Sequence, residues 1–150
     1  MKKYICLLIL LEVIVFLTAL EIIDSKGISH IYDNAELYKL ETQELKTTRE
    51  KDGIVRLNNW QGFRFDIWLK QQKLGDFATI RFESSDRYLV TLEKSEFDSL
   101  ESYIVIAQDG IPFEEYMLRL IFATLREMQW IKGLDSIVLE NIHPLIRLTR

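Results

Sequence analysis

At Asp109-Gly110-Ile111-Pro112 the sequence calls for a turn. Asp109-Gly110 readily adopts positive φ, and Pro112 just beyond it locks its own φ near −65°, so the chain must turn after the β-rich run Tyr103 to Ala107. The turn sends the chain back on itself. Downstream, the apolar segment Leu118 to Phe122 and the later segment Ile137 to Leu139 read as strands of one sheet, joined by a polar connection that carries Trp130. Taken alone, Asp109 to Glu140 argues a mixed α/β or mostly β domain, and it supplies no catalytic constellation.

The whole chain has 150 residues, 48% of them hydrophobic, which is enough for one core and one domain. Its net charge of −4, with acids and bases interspersed, offers no basic stripe of the kind nucleic acids require. DNA and RNA are therefore not expected partners. Met1-Lys-Lys followed by the apolar run Tyr4 to Leu20, broken only by Glu12, has the layout of a secretory signal. A retained N-terminal membrane anchor is the other reading, because the run lies near the short limit of a span and Lys2 and Lys3 would hold its start on the cytoplasmic side. Either way residues 1–20 place the folded part outside the cytoplasm, periplasmic or secreted, or anchored and facing outward. Cys6 is the chain's single cysteine and lies inside this run, so the exported part has no disulfide, no thiolate ligand and no cysteine nucleophile.

Residues 21–30 read as a linker, 31–142 as the domain and 143–150 as a tail. Ile31 to Glu41 alternates loosely and fits a strand, and Thr42-Gln-Glu-Leu-Lys46 fits a short helix that buries Leu45. Lys46 to Gly53 is charged and reads as an exposed turn. Ile54 to Leu57 is expected as a strand that turns at Gly62. A helix over about Arg64 to Lys73 should bury Phe65, Trp68 and Leu69 and stop at Gly75. Ala78 to Phe82 and Tyr88 to Leu92 read as a hairpin, followed by one helical turn at Lys94 to Phe97. The fold class implied by these pieces is α+β, a mixed sheet with short helices.

Four of the segments, in order, resemble the sulfite-oxidase-type molybdopterin-binding domain. Trp60-Gln-Gly62 and the helix after it resemble that family's Trp-x-Gly opening, and Phe82-Glu-Ser-Ser-Asp86-Arg-Tyr88 with Val90-Thr-Leu92 resembles its Ser-x-Asp-Gly-Tyr strand pair. Ala107-Gln-Asp109-Gly110-Ile-Pro112-Phe113 resembles its Ala-x-Asn-Gly-x-Pro-Leu turn. Leu118-Arg119-Leu120 and Trp130 to Ile137 resemble its Pro-Leu-Arg-Leu strand and the segment leading to the last strand. The likeness covers Leu37 to Glu140 and implies a molybdopterin cofactor, with Arg119 as a cofactor-binding residue.

Departures from that pattern point away from catalysis. The segment Thr47 to Asn59 lacks the cysteine that would take molybdenum, Arg87 and Ala123 replace the usual glycine and proline, and Gln129 replaces a lysine before Trp130. The expectation is therefore a short, degenerate, non-catalytic member without bound cofactor, binding a small ligand or an extracytoplasmic protein partner. The alternative is a molybdopterin-dependent oxidoreductase that keeps a pterin without a cysteine ligand.

No other residue makes a stronger case. His30 and His143 lie far apart without a carboxylate motif, which gives no metal site. Asp86 and Asp109 read as turn residues bonding their own backbone, and Ser84, Ser85 and Ser95 have no histidine nearby in sequence. Trp60, Trp68 and Trp130 read as packing residues. Arg119 alone is kept, as an anion contact.

Overall fold

The computed structural model describes residues 18–124 and 130–141. Residues 1–17, and with them Cys6 and Glu12, lie outside that range, as do Gln129 and His143.

Eleven strands form two sheets among the described residues. In chain order they are β1 (Ala19–Ile23), β2 (Ser29–Asp33), β3 (Gln43–Lys51), β4 (Ile54–Arg64), β5 (Thr79–Ser84), β6 (Leu89–Glu93), β7 (Ser102–Gln108), β8 (Ile111–Pro112), β9 (Arg119–Phe122), β10 (Ile131–Lys132) and β11 (Leu134–Glu140). The first sheet runs β2-β1-β11-β5-β6, the second β10-β9-β7-β4-β3, with β8 folded back on β7. Every pairing is antiparallel except β1 with β11.

The facing apolar sides of the two sheets bury one core. Leu20, Ile22, Ile80, Phe82, Ile137 and Leu139 come from the first sheet; Phe63, Ile104, Leu120, Phe122 and Ile131 come from the second. Phe82 meets Phe122 across the layers edge to face, with ring centres 5.7 Å apart. Helix α2 (Phe65–Gln71) adds Phe65, Trp68 and Leu69 to this core, as its period predicts, and α3 (Lys94–Ser99) adds Phe97.

This architecture corrects the α+β expectation. Strands hold 53% of the described residues and helices 17%. The helices α1 (Asn34–Leu37), α2 and α3 have four, seven and six residues, too short to stand without packing, and they serve as connections. The chain is a β-rich, two-sheet domain.

Several local expectations change for the same reason. Thr42 to Lys46 is not a helix and Lys46 to Lys51 is not a turn: both lie in or beside β3, because Leu45, Thr47 and Arg49 alternate and pair with Trp60, Asn58 and Arg56. The turn shrinks to Asp52-Gly53, both at positive φ. Nor does the expected strand from Ile31 reach Glu41, since Asp33 caps α1 by accepting from the Ala35 amide. Residues 21–30 are not a linker: the end of β1 and the start of β2 occupy half of that stretch, and Ile22 within it is fully buried. Strands β9 and β11, expected in one sheet, lie in different ones.

Gly62 does not turn the chain. It sits inside β4 at a bulge opposite β7, where an added Cβ would lie 2.2 Å from the Ile104 carbonyl oxygen, so only glycine allows the approach. Helix α2 ends at Gln71, and the left-handed residue that follows its cap is Lys73, φ 60°, rather than Gly75. The turn at Asp109-Gly110 is present, with φ 53° and 80°, and leads directly into β8.

Near the edge of the domain, three side chains hold three successive carbonyls. Thr18 Oγ1 donates to Glu115 O, Asn34 Nδ2 to Tyr116 O and the Tyr38 hydroxyl to Met117 O. They fasten a loop in which Glu115 and Tyr116 are both at positive φ, 55° and 54°.

Candidate functional site

The second sheet has a face turned away from the main core. On it Trp60, Tyr103, Val105 and Ile121 form a smaller buried cluster, flanked by Leu45, Phe113 and Trp130. Strand alternation puts these residues on the side opposite Phe63, Ile104, Leu120 and Phe122. Trp60 and Trp130 meet edge to face at 5.8 Å. Their indole N–H groups are satisfied, that of Trp60 by Thr47 Oγ1 at 2.9 Å and that of Trp130 by the Phe122 carbonyl at 3.1 Å.

Arg119 lies over this cluster. Its guanidinium carbon is 5.1 Å from the Trp60 ring centre and 5.1 Å from that of Phe113, so two aromatic faces hold the cation. Around it runs a groove of about 400 Å³ lined by Arg49, Arg56, Asn58, Trp60, Gln108, Arg119, Trp130 and Lys132. Gln108 Nε2 donates to Asn58 Oδ1 at 3.2 Å and ties the floor together.

Charge separates sharply here. Among the described lining residues are four cations and no carboxylate, in a chain whose net charge is −4. They include no serine, histidine or acid that could serve as nucleophile or general base. Such a lining can attract, orient and hydrogen-bond an anion.

The other residues considered from sequence fall elsewhere. Asp86 accepts from Ser84 Oγ and from the Tyr88 amide, and the Ser84 hydroxyl foremost holds its carboxyl below the usual range, so it is a turn residue. Asp109 does not bond its own turn: it accepts from the Asn59 amide at 3.0 Å, while its own amide donates to Asn59 O, locking the turn to β4. His30 has a carboxylate partner after all, Asp24 at 2.9 Å. No group of three or more His, Cys, Asp or Glu among the described residues could hold a metal ion. Nor is any helix among them long and apolar enough to cross a membrane.

Arg49, Arg56, Asn58, Gln108 and Lys132 escape the sequence reading because they converge only through strand register. One trace was visible. Arg56, Asn58 and Trp60 are spaced by two, which places them on one face once Asn58 to Gly62 is recognised as strand rather than turn.

No protein-family model matches the chain, and no curated protein does either.

Proposed function

We propose that the chain is a non-catalytic binding domain that holds a small anionic ligand in the groove around Arg119. The observation that carries this reading is the groove's lining: Arg49, Arg56, Arg119 and Lys132 around two indoles and two carboxamides, with no carboxylate among the described lining residues. Arginine suits the task, since its planar donors match carboxylate and phosphate oxygens while its flat faces rest on aromatic rings.

The likeness to the sulfite-oxidase-type domain belongs to this proposal only through Arg119. The residues do not fit a molybdenum held through sulfur, because Thr47 to Asn59, which builds one wall of the groove, contains no cysteine. No step is routed through such a cofactor. A location outside the cytoplasm, from residues 1–20, completes the proposal, and a reporter joined after Thr18 tests it by the compartment in which it is active.

Titration calorimetry of the purified chain with inorganic phosphate tests the binding. Saturable binding is expected, weakened by salt and lost in Arg119→Ala. An Arg119→Ala variant that binds phosphate as well as the wild type would remove the groove from consideration. Molybdenum and a pterin absorption band in native material would replace this reading with the oxidoreductase one.

A further inference from the structure

Strand register places the groove's cations in two like-charged pairs. Arg49 stands directly opposite Arg56 across β3 and β4, and Arg119 directly opposite Lys132 across β9 and β10. Both pairs line the same groove.

The pairs lie at opposite ends of it. Gly62 pairs with Val105 and Val105 with Arg119, so Arg119 is level with Gly62, six residues beyond Arg56 on β4. Strand geometry then separates the backbones of Arg56 and Arg119 by ~20 Å along the strands and ~10 Å across them. Between the two ends lie Asn58, Gln108 and Trp130, which offer amide and indole surface without charge. Arg49, Arg56 and Lys132 are exposed, and Arg119 is half-buried. The nearby Asp86 feels the charge of Lys132 but does not line the groove.

We infer that the groove recognises an elongated ligand carrying an anionic group, phosphate or carboxylate, at each end, one seated at Arg49 and Arg56 and the other at Arg119 and Lys132. This rests on the reading of the groove as an anion site and goes further by specifying two charged termini joined by a neutral linker. Each terminus sets an anion beside one pair of cations. Joining the termini makes capture of the second intramolecular, so affinity gains without any new contact.

The probes are methylphosphonate and the butane, hexane and octane bisphosphonates, titrated into the full chain by calorimetry at fixed pH and ionic strength. At least one bisphosphonate should bind tighter than methylphosphonate by about tenfold or more, with an optimum at one spacer length. Arg56→Ala and Lys132→Ala should each cancel most of that advantage, so that the tightest bisphosphonate and methylphosphonate bind the same variant with similar affinity. Equal affinity for methylphosphonate and all three bisphosphonates overturns the two-ended site and leaves the anion groove standing. So does an advantage that survives both substitutions. If none of the probes binds, the anion groove itself falls.

Discussion

Arg119 rests 5.1 Å from the centre of the Trp60 ring, on the face of the second sheet opposite the main core. The contact joins stability to the groove, since the same guanidinium that lines the groove also covers a fully packed indole. A cation over an aromatic face contributes ~0.5–2 kcal/mol, depending on how far water is excluded. Arg119→Ala should therefore lower the urea midpoint by the equivalent of about 1–2 kcal/mol without changing the slope, while Arg119→Lys loses less. An alanine variant as stable as the wild type would show that the stacking contributes nothing.

Gly62 lets the β7 backbone pack where a side chain would otherwise stand. Gly62→Ala forces a methyl group against the Ile104 carbonyl oxygen, 2.2 Å from the ideal Cβ position, and should cost about 3 kcal/mol. Gly75→Ala is the control, because its nearest neighbour is the flexible Lys70 side chain at 3.6 Å. Equal melting temperatures for the two variants would contradict the bulge.

Trp68 packs on Tyr32, Phe63 and Phe65, with ring centres 4.8, 5.9 and 6.1 Å away. Trp68→Ala should cost about 3–5 kcal/mol, whereas exposed Lys70→Ala should stay within about 0.5 kcal/mol. Chemical denaturation of both variants checks the helical phase of α2; similar losses would mean it is misassigned.

Leu20 lies fully buried in β1, between β2 and β11. A chain beginning at Glu21 loses that side chain and two of the five residue pairs between β1 and β2, and should be less stable than one beginning at Thr18 by more than the ~2–5 kcal/mol of a buried leucine truncation. If this region is processed during export, sequencing of the mature N-terminus should find it at or before Thr18. Matching unfolding curves for the two chains would place β1 outside the cooperative core.

Tyr38 donates to the Met117 carbonyl and packs on Tyr116, and burial foremost pushes its phenol up to about 12. In the unfolded chain it titrates near ~10. Between those values the folded protein keeps a proton that the unfolded chain releases, so this stability is full below about pH 10 and is lost as pH rises toward 12. Urea unfolding from about pH 8 to about pH 12 should show the wild type losing ground to Tyr38→Phe only in the upper part of that range. Parallel curves throughout would mean the phenol is as accessible folded as unfolded.

The sequence alone determined the features that depend on neighbours along the chain. The Asp109-Gly110 turn, the β5–β6 hairpin and the buried face of α2 all follow from φ preferences or from a period of two or 3.6 residues. Arg119 could also be singled out, but only as one cation on one strand. Tertiary structure decided what depends on distant partners. Lys46 to Lys51 is as polar as a turn until β4 pairs with it, and Leu20 looks like the end of an apolar leader until β11 and β2 enclose it. Strands β9 and β11 are both apolar stretches, and nothing local assigns them to different sheets. The groove is the extreme case: Arg49, Arg56, Arg119 and Lys132 come from four strands, and only register turns scattered positive charges into two opposed pairs on one face.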